Sequence, residues 1–294
     1  MARLTAIPEP SRLTTRLAST AGVELAVHDL GGHGDRVLIV AHATGFNGRT
    51  YGPFVEHLDG FQIVAPDLRG HGDSSTPEDL DFDWEGLADD VGHVVDHLAA
   101  DDRLYSFGHS MGAAVSILAE ARRPGTFRGI YAFEPIVYPP MMVQDPPRRS
   151  SFVEGTKKRR REFESADSAF TNYMEKPPFD VFEKASLDAY IEHGFHHAAD
   201  GTITLKMHPH NESRMYQMSL AHPTWNRLAD VHCPVVVARG KSIPKAPSGI
   251  ADQVVARLPQ GRLEAFDDIG HMGPFEDTRR VAARVQTFFD GLDG

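Results

Sequence analysis

The sequence predicts an α/β fold in which a mostly parallel, doubly wound sheet is interrupted by a mainly helical insertion. Two observations carry this prediction. Short apolar runs, typical of strands buried on both faces, alternate with helical stretches in both flanks of the chain. This rhythm stops near residue 136 and resumes after residue 225. Because alternating strands and helices build parallel sheets with right-handed crossovers, the two flanks are expected to form one layered domain.

The individual elements follow from local patterns. Val23–Leu30 alternates apolar and polar residues and predicts an outer strand, whereas Arg36–Ala41 is continuously apolar and predicts a central one. Further predicted strands are Phe61–Pro66, Asp102–Phe107, Phe127–Phe133, Pro234–Ala238 and Arg262–Phe266. Predicted helices are Glu85–Ala99, Ala113–Arg123, Gly249–Arg257 and Glu276–Leu292.

These patterns divide the chain into a core of residues 1–135 and 226–294 and an inserted cap of residues 136–225. The cap region contains three Pro-Pro pairs and several helical stretches. Ligands of such sheets bind at the carboxyl ends of the strands. The insertion is therefore expected to cover that edge and to set substrate choice through an apolar pocket.

Composition excludes several classes of function. The 294-residue chain carries a net charge of −11, which argues against a nucleic-acid partner. Its single cysteine, Cys233, precludes an intramolecular disulfide. Without a signal-peptide pattern or a run of ~20 apolar residues, a cytoplasmic protein with no membrane span is expected. Assembly into a homo-oligomer stays open.

A run of five cations, residues 157–161, stands out against the acidic balance. Such a run usually forms a solvated face, and a docking patch for an anionic partner is the alternative.

The most informative motif is Gly108-His-Ser110-Met-Gly112, placed between a predicted strand and a predicted helix. Glycines allow the close backbone approach that a sharp strand-to-helix turn needs. The turn exposes the serine hydroxyl above the sheet edge, as in a nucleophile elbow. Ser110 is therefore the predicted nucleophile.

A serine nucleophile needs a base and an acid that orients the base. His271 is the predicted base, since it follows the last predicted strand. Glu134 is the favoured acid, because it closes an apolar strand beyond the nucleophile strand and keeps the order Ser, acid, His. Asp252, Asp267 and Asp268 are the alternative acids.

An oxyanion needs backbone N–H donors. One is expected from Met111, directly after the nucleophile. The second is expected from Thr44, in the loop after Ala41, with Gly45 or Phe46 as alternatives.

These residues, together with the sequence Asp67-Leu-Arg-Gly70-His-Gly72-Asp-Ser74, resemble the α/β-hydrolase fold family. The resemblance covers about residues 20–135 and 230–292. It implies a nucleophile–His–acid triad, an acyl-enzyme and no cofactor, with Ser110, His271, Met111 and Thr44 matching by position. The chain departs from many relatives at Ser242, where they hold an acid. Some members place the acid after the preceding strand, which supports Glu134.

The predicted function is hydrolysis of a carboxylic ester with a small or medium apolar group. Alternatives on the same triad are a lactonase, thioesterase, amidase, carbon–carbon hydrolase or perhydrolase. A hydrolase-like receptor with little turnover is a further alternative. A metal enzyme is a weaker one, suggested by the clustered His193, His196, His197, His208 and His210; no metal is expected.

Overall fold

The computed structural model describes residues 14–100, 103–142, 151–219 and 223–293. An eight-stranded sheet forms its centre. The strands of this sheet are β1 Thr14–Ala18, β2 Glu24–Gly32, β3 Arg36–Ala41, β4 Phe61–Asp67, β5 Leu104–His109, β6 Gly129–Phe133, β10 Val235–Arg239 and β11 Gly261–Ala265. Their order in the sheet is β1-β2-β4-β3-β5-β6-β10-β11. β2 runs antiparallel to both of its neighbours, and every other neighbouring pair is parallel. The predicted α/β fold class is confirmed.

Helices cover both faces of the sheet. Along β6, Ile130 belongs to the apolar cluster on one face of the sheet, whereas Tyr131 belongs to the cluster on the other face. This alternation explains why the central strands are apolar throughout. The helices of the flanks are α1 Gly52–Val55, α2 Trp84–Leu98, α3 Met111–Arg122, α9 Pro247–Val255, α10 Gly273–Glu276 and α11 Thr278–Asp290. In the part of the chain that is described, no helix is both long and apolar enough to cross a bilayer.

The chain between β6 and β10, two neighbouring strands, carries a separate set of elements. Its helices are α4 Ser151–Lys157, α5 Ala166–Met174, α6 Lys184–Gly194, α7 Pro209–Met218 and α8 Thr224–Arg227. It also contains a small antiparallel sheet of β7 Glu162–Phe163, β8 Phe195–His197 and β9 Ile203–Leu205. This sheet was not predicted, because strands of two or three residues show no readable alternation. We call residues 136–225 the insertion.

The sequence patterns missed one strand of the central sheet, and they predicted the ends of several strands and helices at residues that differ from those observed. β1 is mostly exposed, so it lacks the apolar alternation that marks a half-buried strand. The strand predicted from Asp102 begins outside the described residues and continues to His109. This extension matters because it brings the strand directly to Ser110.

Candidate active site

Ser110 stands at a sharp turn between β5 and α3. Its backbone has φ 56° and ψ −111°, a conformation that costs free energy for a residue with a side chain. A Cβ added to Gly112 would lie 2.1 Å from the carbonyl oxygen of Ala41, and one added to Gly108 would lie 2.4 Å from Cα of Ala113. Both glycines are therefore required by close approach.

The structure brings Ser110, His271 and Glu134 together at the carboxyl edge of the sheet. Nε2 of His271 lies 3.1 Å from Oγ of Ser110, and Nδ1 lies 2.7 Å from Oε2 of Glu134. Glu134 follows β6 directly and is only 2 % exposed. Its other oxygen, Oε1, accepts a hydrogen bond of 2.8 Å from the backbone N–H of Gly240. The carboxylate is thus fixed by the imidazole on one side and by the loop after β10 on the other.

The alternative acids have other environments. Asp267 pairs with Arg239, and Asp268 pairs with Arg280. Asp252 is exposed on α9, and Ser242 is exposed in the loop after β10. The loop after β10 contacts Glu134 through the backbone N–H of Gly240. In many relatives the same loop is expected to supply the carboxylate itself.

Two amides beside Ser110 have the environment of oxyanion donors. Oγ1 of Thr44 donates to Sδ of Met111 at 3.3 Å, so the two residues touch, and both are buried. Within the described ranges, neither Thr44 N–H nor Met111 N–H donates to a protein acceptor. The alternative donor Phe46 already donates to the Ala43 carbonyl at 3.2 Å. Buried amides without a partner are rare, and an anion is a suitable acceptor for them.

The loop that carries Thr44 is anchored by His42. Its Nδ1–H donates to the Ala43 carbonyl at 2.9 Å, and its Nε2 accepts from Leu68 N–H at 2.9 Å. Because Nε2 accepts a hydrogen bond, the ring is neutral, and burial lowers its pKa. His42 therefore holds the loop by hydrogen bonds.

A cavity of about 1560 Å³ opens at Ser110 and His271. Its walls come from loops of the sheet edge and from the insertion, and the lining is mainly apolar. It is larger than most small-molecule sites, which span ~300–1,000 Å³. Residues that form its walls include Phe46, Met272, Tyr173, Phe179 and Tyr216.

The basic run divides between solvent and interior. Four of its members are exposed, whereas the guanidinium of Arg159 turns inward and contacts both oxygens of Glu212 at 2.9 and 2.8 Å. It also donates to the hydroxyls of Tyr173 and Tyr190. Burial alone would lower the pKa of Arg159, but Tyr190 and Glu212 hold it well above its usual value. This buried network was not predicted, since the run was expected to be a solvated face.

The Arg159–Glu212 pair reaches the loop that carries Thr44. A Cβ added to Gly45, whose φ is +83°, would lie 2.6 Å from Oε1 of Glu212. The hydroxyl of Tyr216, one turn further along α7, lies 3.5 Å from the Thr44 carbonyl. The insertion therefore packs directly on this loop.

Two of the five histidines considered as metal ligands have hydrogen-bonding roles. His197 contacts the carbonyls of Ile191 and Glu192, and His208 caps α7 by accepting from His210 N–H.

Among the described residues, ligand atoms at metal-binding distance occur instead in His28, Asp67 and Asp73. There, Asp67 already contacts His28 and accepts from the N–H groups of Gly48 and Asp73, while Lys206 pairs with Asp73. These contacts explain the group as a structural network.

The fold and the candidate site together indicate one class of protein, and comparison with known proteins identifies that class. The alpha/beta hydrolase family matches residues 37–284. The chain belongs to this family.

Individual relatives are more distant. Lipase LipV of Mycobacterium tuberculosis is 26 % identical over 287 residues, which cover 90 % of this chain and 97 % of LipV. Probable protein phosphatase methylesterase 1 of Caenorhabditis elegans is 33 % identical, but only over 28 % of this chain and 24 % of that protein. The solved structure of E-2-(acetamidomethylene)succinate hydrolase has a TM-score of 0.75 and 22 % identity, covering 95 % of this chain and 99 % of that one. The relatives support a hydrolase, and the structural likeness shows the fold.

Proposed function

We propose that this protein hydrolyses carboxylic esters without a cofactor, through an acyl-enzyme on Ser110. The observation that carries the proposal is the continuous chain from Ser110 through His271 to buried Glu134, beside two amides that lack acceptors. A serine hydroxyl becomes a nucleophile when a neighbouring base can take its proton.

In the proposed reaction, Ser110 Oγ attacks the ester carbonyl while Nε2 of His271 accepts the hydroxyl proton. The oxyanion that forms is stabilised by the N–H groups of Met111 and Thr44. His271 then protonates the leaving alcohol, and later activates the water that releases the acid. Glu134 orients the imidazole and stabilises its positive charge throughout.

The insertion is proposed to act as a cap that selects the substrate. Its aromatic side chains share the cavity with Ser110, so they can contact one side of a bound ester. The apolar lining supports an apolar acyl or alcohol group, and the cavity volume allows one of medium size.

The first test is covalent labelling with a fluorophosphonate, read by intact mass for the wild type and for Ser110→Ala. One adduct on the wild type and none on the variant would support an activated Ser110. A folded wild type without an adduct would contradict the enzyme proposal and favour a receptor with little turnover.

A second candidate is a hydrolase of acidic esters or amides. Lys158 and Lys241 both line the cavity, and neither forms a direct ion pair with another described residue. Two such cations on a chain of net charge −11 favour a substrate with a carboxylate.

A matched substrate pair separates the two candidates. Ethyl hexanoate and monoethyl adipate share the ester and the chain length but differ by one terminal carboxylate. The acidic candidate predicts a higher kcat/KM for the half-ester and a loss of about 2- to 5-fold on Lys158→Gln or Lys241→Gln for that substrate alone. Equal loss on both esters, or a preference for the neutral one, would reject it.

A further inference from the structure

A second line of hydrogen bonds runs behind the triad, through His109 of the elbow. Nε2 of His109 lies 2.8 Å from the carbonyl oxygen of His271, and Nδ1 lies 2.8 Å from the hydroxyl of Tyr51. The same hydroxyl receives the backbone N–H of Ala43 at 3.1 Å. The side chains of Tyr51 and His109 are fully buried. The line therefore joins the backbone of the base to the loop that carries Thr44.

The direction of each hydrogen bond is fixed by chemistry. A carbonyl only accepts, so Nε2 of His109 carries the proton and donates to His271. Nδ1 must then accept from the Tyr51 hydroxyl, whose oxygen accepts from Ala43 N–H. Each donor in the line has one acceptor, and one tautomer of His109 satisfies them all.

The surroundings of His109 keep this tautomer neutral. Burial, followed by the nearby His271, lowers the pKa of His109 well below its usual value. Its ring packs edge-on against Phe133 and Phe275, with centroids 5.7 Å away in each case. The ring cannot rotate out of the line without disturbing these contacts.

We propose that His109, oriented by Tyr51, is a positioning residue that holds the His271 backbone and the Ala43–Thr44 loop at a fixed separation. This inference rests on the proposed function. The base and the oxyanion amide must reach the same reacting carbonyl, yet they come from loops 227 residues apart, at positions 44 and 271. A displacement of either group reduces the rate, because a misplacement of about 1 Å can cost about 10²-fold.

The test compares variants that keep bulk but change the hydrogen bonds. His109→Gln retains an N–H for the His271 carbonyl and an oxygen for the Tyr51 hydroxyl, whereas His109→Leu retains neither. Tyr51→Phe removes the central hydroxyl alone. We expect kcat to fall about 10- to 100-fold in His109→Leu and Tyr51→Phe, with KM changed little, and His109→Gln to recover most of the loss.

The matched control is Tyr105→Phe. Tyr105 is also buried, lies on β5 before the elbow, and donates to Asp293 away from the cavity. A purely structural role would lower the melting temperature of Tyr51→Phe and Tyr105→Phe alike and leave kcat per folded molecule unchanged in both. That result would overturn the proposal, as would equal kcat in His109→Leu and His109→Gln.

A measurement on the wild type that needs neither a variant nor turnover separates the role of His109 from the proposed function. Imidazole ¹⁵N NMR of the wild type should show the His109 proton on Nε2, and the wrong tautomer would overturn the inference. A wild type with this tautomer but no turnover of any ester would count against the proposed function instead.

Discussion

The sheet edge and the insertion hold their polar groups in different ways. At the edge, Glu134 and His109 each have one side-chain partner and one backbone partner, the backbone partners being Gly240 N–H and the His271 carbonyl. In the insertion, Arg159 is fixed by side chains alone, those of Glu212, Tyr173 and Tyr190. Hydrogen-bond partners from the backbone are positioned by the fold, whereas partners from side chains depend on the identity of the residues in contact.

The largest expected effect is a loss of kcat when the proposed acid at the sheet edge is replaced. Glu134→Gln should lower kcat by about 10³- to 10⁴-fold. Because Gly240 N–H requires an acceptor, the amide oxygen takes that place and the NH₂ group faces Nδ1 of His271. The imidazole is then forced to carry its proton on Nε2, where it cannot accept the proton of Ser110. Steady-state kinetics on a p-nitrophenyl ester measures the loss.

Asp268→Asn is the control for this variant. Asp268 was an alternative acid, lies three residues from His271, and pairs with Arg280 at the surface. Its kcat should stay within a few-fold of wild type. A reversed result, with full activity in Glu134→Gln, would move the acid elsewhere.

The next largest effect is expected in the insertion, as a loss of stability. Arg159→Met leaves the Glu212 carboxylate buried and unpaired, so the free energy of unfolding should fall by about 3–5 kcal/mol. Urea denaturation measures the change. Since Glu212 packs on Gly45, kcat should fall as well, through the Thr44 loop.

Two further variants sharpen this result. Arg160→Met removes the neighbouring exposed cation and should change stability by no more than about 0.5 kcal/mol. Replacing both partners, in Arg159→Met with Glu212→Leu, should restore much of the stability, because no buried charge remains. Equal stability of Arg159→Met and wild type would show that the pair contributes nothing.

The smallest expected effect is a pH dependence of folding stability that arises from buried histidines of the core. Burial lowers the pKa of His42, His71 and His109 when folded, that of His71 to about 3. Above pH 6.5 both the folded and the unfolded forms are neutral. Below it only the unfolded chain gains protons, so stability is lost as the pH falls. His71 and His109, whose pKa values are lowered most, should each destabilise the protein by about 1 kcal/mol between pH 6.5 and 5.5, and His42 should add a smaller loss.

Urea denaturation at these two pH values measures that loss, which should exceed about 2 kcal/mol for the three groups together. His71→Gln should reduce the loss by about 1 kcal/mol, whatever its effect on absolute stability. A pH dependence that is unchanged in His71→Gln would place the titrating groups elsewhere.

Sequence patterns were most informative where local order decides position. The apolar run that became β3 has the predicted bounds, and Glu134 was chosen because it closes a strand. They failed where partners are distant in the chain. β1 has no strong pattern of its own, and nothing in residues 157–161 indicates that Arg159 alone turns inward. His109 could have been noticed from its place in the elbow, but its partners Tyr51 and His271 could not.

The sequence by itself determined the α/β fold, the order of Ser110, Glu134 and His271, and the turn at the nucleophile. Short-range patterns of apolar residues and glycines suffice for these, because strand ends and sharp turns have local steric requirements. Only the tertiary structure decided that Gly240 holds the carboxylate of Glu134, that Tyr51 and His109 connect two loops, and that Glu212 pairs with Arg159. These are side-chain and backbone contacts across large sequence separations, and they exist only once the sheet has brought its strand ends to one edge.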